Sequence, residues 1–152
     1  MATSAALGVA ASVPFYKTQN WLMAALVLAV ALWGARAPDA LEMYKWSDGK
    51  RRSIIPHRTI THWPPVWILI ALPAYFYTPT EYQPLIVVGL LACLLHLLMD
   101  FLTPSGIPLF NPFGKSYRFI LYRTGSLKGE ALATLVTWVA AGAIAPILYF
   151  SF

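Results

Sequence analysis

Long apolar runs alternate along this chain with two polar, basic connections. Trp21–Ala37 is the first clear run, with Trp21 and Trp33 near its ends, where interfacial tryptophans sit. Ala25 and Ala29 give it small-xxx-small spacing for a close helix contact. It is expected to stop near Pro38, because the residue before a proline disfavours helical geometry. Trp63–Tyr77 is shorter and aromatic, with Thr61 placed to cap it, Pro64 and Pro65 tolerable in its first turn and Pro73 expected to kink it. Thr78–Glu81 reads as a tight polar turn, and Tyr75, Tyr77 and Tyr82 form an aromatic belt beside it. Tyr82–Leu102 amounts to roughly 31 Å of helix, enough to cross a bilayer. Ala131–Tyr149 is the last run, with Ser126 as a plausible cap and Glu130 in its first turn. The pattern predicts an all-α, polytopic membrane helix bundle of about four transmembrane helices in a single domain, with spans near 21–37, 63–77, 82–102 and 131–149. Residues 1–16 are apolar and uncharged but short for a span. They suit a half-helix, a re-entrant segment or an interfacial helix, and lack the basic start of a cleaved signal peptide.

The connections carry the charge. The first, about 38–61, holds Asp39, Glu42, the turn signal Asp48-Gly49, Lys50-Arg51-Arg52 and His57-Arg58. The second, about 103–130, begins with a helix-breaking Thr103-Pro104-Ser105-Gly106, and its prolines at 104, 108 and 112 impose an irregular path. Arg36, Lys45, Lys50, Arg51, Arg52 and Arg58 cluster around the first connection. Lys115, Arg118, Arg123 and Lys128 lie in the second, Lys17 alone precedes the first span, and the 78–81 turn has none. That asymmetry places both long loops in the cytoplasm of a multi-pass membrane protein. It also accounts for most of the net charge of +5 without a nucleic-acid partner; membrane lipid is the expected surrounding partner.

Composition agrees: 59% hydrophobic and 11% charged residues exclude an ordinary soluble globule, where about 25% would be charged. The single cysteine, Cys93, excludes an intrachain disulfide and a cysteine-rich zinc module. Its place in mid-span suits a small packing residue better than a ligand.

The third span carries the candidate chemistry. His96 is the only strongly polar member of the run from Leu85 to Leu98, and Asp100 follows one helical turn later on the same face. Ionisable groups at such depth are costly and usually mark a site. With the loop order above, His57, His62, Asp39, Glu42 and Glu130 gather at the same membrane face, so that all three histidines of the chain share it. Imidazole and carboxylate are ligands of zinc, manganese and iron, and the set can supply three or four donors with a position left open. Arg58 is placed to hold an anionic transition state, and Glu42 or Glu130 to act as base. Each residue also has a plainer role: loop histidines are often merely solvated, Asp39 suits a turn, and Arg58 fits the topological bias.

The blocks Pro38-Asp39, His57-Arg58-x-x-Thr61-His62 and His96-x-x-x-Asp100-x-Leu102-Thr103-Pro104-x-Gly106-x-Pro108-Leu109 resemble the YdjM-like family of inner-membrane-associated metal-dependent hydrolases, over about Gly34 to Glu130. The resemblance implies Asp39, His57, His62, His96 and Asp100 as metal ligands. Glu130 resembles the family's glutamate at the start of the last helix, one residue further from the preceding glycine. Two departures stand out. The family's P-D-x-D stretch is Pro38-Asp39-Ala40-Leu41 here, without a second aspartate, and the family's N-terminal histidine is absent from residues 1–16. Both departures favour one metal over two. The expected function is metal-dependent hydrolysis of a phosphoester or lipid-type substrate at the cytoplasmic face, with zinc as the first choice of divalent metal. The alternatives are a non-enzymatic membrane protein that assembles with or regulates an envelope partner, and a small transporter. The latter is disfavoured because the polar residues cluster at one mouth.

Overall fold

The computed structural model describes residues 2–41, 44–47, 50–53, 58–122 and 126–151. The protein is mostly helical, with six α-helices among the described residues: α1 Ala2–Lys17, α2 Trp21–Gly34, α3 Ala37–Ala40, α4 Pro64–Tyr77, α5 Gln83–Phe101 and α6 Leu127–Ser151. Residues 2–17, whose form the sequence left open, make a continuous helix that packs between α2 and α6. α5 packs on α2 and α4 and also touches α1. One core cluster joins Met23, Val27, Ala31 and Val88, with Ala11 and Phe15 against it; another joins Ala6, Ala10 and Ala141.

Small residues set the helix crossings. A Cβ on Gly34 would lie 2.8 Å from the Gly89 carbonyl oxygen, and one on Gly8 would lie 2.9 Å from the Ala31 Cβ. Backbones this close admit no side chain, which is the use of small residues between membrane helices. The buried face of α2 is Met23, Val27, Ala31 and Gly34. Ala25 and Ala29, expected at the contact, are exposed. Their spacing is right, but they lie on a neighbouring face of the helix.

Proline shapes both ends of the first connection. α2 stops at Gly34, and Pro38 stands in the first turn of the short α3 rather than beyond the end of α2. Pro38 has no N–H to offer the Gly34 carbonyl four residues back. That carbonyl accepts from the Cys93 thiol instead, at 3.1 Å. Trp63, before Pro64, is extended, as a residue preceding proline should be. The α4 helix therefore cannot run back through Thr61, and Thr61 does not cap it; Ile60–His62 forms a separate 3-10 turn. Pro73 lies inside α4.

The first connection is not all loop. Strands β1 Tyr44–Ser47 and β2 Lys50–Ser53 pair antiparallel, with Ser47 opposite Lys50. The expected turn Asp48-Gly49 falls between them, outside the described residues. In the second connection, β3 Ile107–Pro108 pairs with β4 Ser116–Tyr117. This segment folds back on the end of α5: Phe119 N donates to the Phe101 carbonyl at 2.8 Å and Leu121 N to that of Leu102 at 3.0 Å. The Ser126 hydroxyl faces Gly129 N at 3.5 Å at the start of α6, the end it was expected to cap.

Thr80–Phe101, α5 with the 3-10 turn before it, is long and apolar enough to cross a membrane, with a mean hydropathy of 2.2. Trp21–Gly34, Pro64–Tyr77 and Ala133–Ala143 are shorter apolar helical segments.

Candidate metal centre

Three elements deliver four side chains to a single point. Asp39 comes from α3, His62 from the 3-10 turn before α4, and His96 and Asp100 from the last turns of α5. His62 Nε2 lies 3.3 Å from Asp39 Oδ1 and 3.3 Å from Asp100 Oδ2. His96 Nε2 lies 3.6 Å from each of the same two oxygens. The donor atoms of Asp39, His62 and His96 are all within 4.8 Å of one another. His62 is fully buried, whereas Asp39 is 56% exposed, so the cluster has a closed side and an open one.

These separations fit a cation better than a set of direct bonds. Charge-assisted hydrogen bonds between imidazolium and carboxylate run at about 2.7–2.9 Å. A tetrahedral zinc with bonds of about 2.1 Å holds its donor atoms about 3.4 Å apart. The observed 3.3 and 3.6 Å match the second spacing. His96 Nε2 is buried and has no hydrogen-bond partner among the described residues. A buried polar atom left so is costly unless something else meets it. Two imidazole nitrogens and two carboxylates therefore fit a divalent metal.

The surrounding bonds orient these side chains. His62 Nδ1 lies 3.1 Å from the Thr61 hydroxyl, and Trp67 Nε1 donates to the Thr61 carbonyl at 2.8 Å. The His96 ring has the Ala35 backbone carbonyl, at the end of α2, as its hydrogen-bond partner. A proton held on the outer nitrogen of each ring leaves the Nε2 lone pair facing the cluster, as metal-ligating histidines require. Arg58 Nη2 donates to Asp100 Oδ1 at 3.0 Å and its Nη1 to the Gly106 carbonyl at 3.3 Å. Asp100 thus turns one oxygen to Arg58 and the other to both imidazoles. Thr103 Oγ1 donates to the Asp100 carbonyl at 2.7 Å and closes the helix end beneath it. The segment after the helix is tied back by Trp63 Nε1, which donates to the Leu109 carbonyl at 3.0 Å.

The family model for YdjM inner membrane protein matches residues 1–152, the whole chain. The chain belongs to the YdjM inner membrane protein family. It is accordingly an inner-membrane protein. No curated protein and no solved structure matches it.

Of the residues singled out from sequence, the structure brings Asp39, His62, His96, Asp100 and Arg58 together. His57 and Glu42 lie outside the described residues. Glu130 is in the first turn of α6, where neighbouring Gly129 packs on Tyr122, whose hydroxyl donates to the Met99 carbonyl at 3.3 Å. Three contributors escaped the sequence reading. Thr61 is a partner of His62 and not a helix cap. Arg36, which the charge pattern assigns only a topological role, lines an open pocket with Asp39 and Trp33. Ala35 contributes only its backbone, which no side-chain pattern reveals.

Proposed function

We propose that the protein is a membrane-bound, metal-dependent hydrolase that holds one divalent metal, zinc by preference over manganese or iron, on Asp39, His62, His96 and Asp100. The substrate class is a phosphoester or lipid-type molecule met at the cytoplasmic membrane face. The observation that carries this reading is the 3.3–3.6 Å spacing of two imidazoles from two carboxylates, at the buried end of a membrane helix. When bound, such a metal supplies Lewis acidity and a water that ionises near neutral pH. Arg58 fixes Asp100, and Asp39 stands on the open side where substrate enters. In the hydrolysis a water oxygen bonds to phosphorus and the ester P–O bond breaks. The water's proton passes through a carboxylate, Glu42 or Glu130, to the leaving oxygen. His57, one residue before Arg58, is the further candidate ligand.

The same reading has α2, α4, α5 and α6 cross the membrane, with both long connections in the cytoplasm. The uneven distribution of lysine and arginine supports it. α2 and α4 are each about 21 Å long against a hydrocarbon core of about 30 Å. The bilayer would thin around them and bring head groups toward the cluster.

The test is elemental analysis of purified wild type, His96→Ala and Asp100→Ala. About one metal per chain in wild type, lost in His96→Ala and reduced in Asp100→Ala, is expected. Equal, negligible metal in all three would overturn the reading. Metal bound without turnover of any phosphodiester or phosphomonoester would favour an assembly or regulatory role with an envelope partner.

A further inference from the structure

Beside the cluster lies a cavity of about 540 Å³ between α2, α4 and α5. Its wall is apolar throughout, with Leu26, Val30 and Trp33 from α2, Trp67 and Ala71 from α4, and Gly89 from α5 among its residues. A volume of this size suits a small organic ligand or a length of hydrocarbon chain. One end reaches Gly34, Ala37 and Cys93. Ala37 is two residues before Asp39, Cys93 three before His96, and Trp67 is bonded to the residue next to His62. A second, open pocket of about 480 Å³, of mixed polar and apolar lining, is formed by Arg36, Asp39, Ala40 and Trp33. Trp33 belongs to both. An oily slot and a pocket that carries the Arg36 guanidinium and the Asp39 carboxylate therefore meet at one indole.

We propose that the α2–α4–α5 cavity binds one hydrocarbon chain of an anionic membrane lipid whose phosphate head lies in the Arg36–Asp39 pocket, with Trp33 at the junction. The proposal deepens the hydrolase reading and rests on it for the fate of the head group, but chain binding is measurable by itself. The placement of the Arg36 cation at the mouth of an apolar slot decides among occupants. A partner helix could fill the apolar slot, but it would leave the pocket beside it unexplained. Free phosphate could enter the pocket, but it has no use for the slot. An amphiphile with both parts fills both. The chain would enter from bilayer rather than from water, so transfer out of water contributes little to its binding. Selectivity comes from fit against the small residues of the wall and from the head group at Arg36.

The test uses the full chain in phosphatidylcholine nanodiscs doped with phosphatidic acid that carries a photoreactive diazirine on one acyl chain. Cross-linked peptides are then mapped. Labelling at Trp33, Trp67 and Ala71 should exceed that at Leu69 and Phe76, which face outward from α4, by about fivefold, equivalent to about 1 kcal/mol. Ala71→Trp should abolish the excess while leaving metal content unchanged. Ala29→Trp fills the slot from α2 at an exposed position and serves if the first variant does not fold. Arg36→Gln should remove the preference for phosphatidic acid over a phosphatidylcholine probe. Inorganic phosphate should not compete for chain labelling, whereas lysophosphatidic acid should. Uniform labelling around the bundle, or labelling unchanged by the slot-filling variants, would mean ordinary surrounding lipid and overturn the proposal. Slot labelling in a protein that binds no metal would overturn the hydrolase reading and leave the lipid site standing.

Discussion

Arg58 reaches Asp100 from the far side of the His62–His96–Asp39 cluster: Nη2 donates to Oδ1 at 3.0 Å, while Oδ2 faces His62 and His96. Both partners are largely buried, with side chains 17% and 15% exposed, so the pair is screened little by solvent. Arg58 holds this geometry from a backbone in the left-handed region, at φ 59°. Such strain persists only where the surroundings fix it. The sequence suggested that Arg58 would grip an anion; its place points to a positioning role through Asp100. Arg58→Gln should weaken metal affinity by about 10–100-fold, the usual cost of losing a bond behind a ligand. Arg58→Lys should recover only part of it, because a lysine cannot span both Asp100 and the Gly106 carbonyl with a planar fork. Chelator competition measures both. Affinity unchanged in Arg58→Gln would show that Asp100 needs no such support.

Metal should also stabilise the fold, because its donors come from three separate parts of the chain. Protein stripped with chelator should melt at a lower temperature, and zinc should restore it. At a free concentration 100 times the dissociation constant, binding adds about 2.7 kcal/mol. His96→Ala should melt at the same temperature with and without zinc. Thermal unfolding in detergent, followed by circular dichroism, reads the difference. An equal rise in wild type and His96→Ala would place the metal elsewhere.

The core of this site was legible in the sequence because its rarest residues sit where they are most costly. His96 and Asp100 stand out against the run Leu85–Leu98, and helical spacing puts them on one face. Asp39 and His62 could be brought to them by loop order and family likeness, but not placed. Their positions depend on Pro38 and Pro64, each of which stands in the first turn of a helix and sets where that helix begins, and a pattern of apolar positions is blind to the angle at which the chain enters it. The helix crossings were misread for a related reason. Ala25 and Ala29 have the same spacing as Val27 and Ala31, and only the partner helix decides which stripe is buried. Likewise, the short hairpin of β1 and β2 lay hidden in a stretch whose polarity marked it as loop.

The buried and exposed stripes of α2 give a direct comparison. Gly34→Val should force α2 and α5 apart, because its Cβ would meet the Gly89 carbonyl at 2.8 Å and the Ala92 Cβ at 3.1 Å. Overpacking of this kind costs about 1–3 kcal/mol. The loss should exceed what packing alone explains, since the same movement draws the Gly34 carbonyl from Cys93 and shifts α3 with Asp39. Ala25→Val, at the exposed stripe, should stay within about 0.5 kcal/mol. Denaturation in mixed micelles, with metal content measured on the same samples, separates the two. Comparable losses in both variants would return the Ala25 face to a helix contact.

Gly106 tests how far the second connection supports the cluster. It has φ +67°, which L side chains rarely adopt, and a Cβ there would collide with the Tyr117 carbonyl oxygen. Its own carbonyl accepts from Arg58, so the turn that Gly106 makes and the position of Asp100 are linked through one guanidinium. Gly106→Ala should cost about 1–3 kcal/mol in local strain. The pairing of Ile107 with Tyr117 should open, and the Arg58–Gly106 bond should lengthen. Trp63→Phe, which removes only the donor to the Leu109 carbonyl, should cost about 1 kcal/mol and leave that turn in place. Hydrogen exchange at Ile107 and Tyr117, read beside metal affinity, distinguishes the two. Faster exchange with weaker metal binding in Gly106→Ala, and faster exchange without it in Trp63→Phe, is the expected pair. Unchanged metal affinity in Gly106→Ala would mean that the hairpin covers the site without holding it.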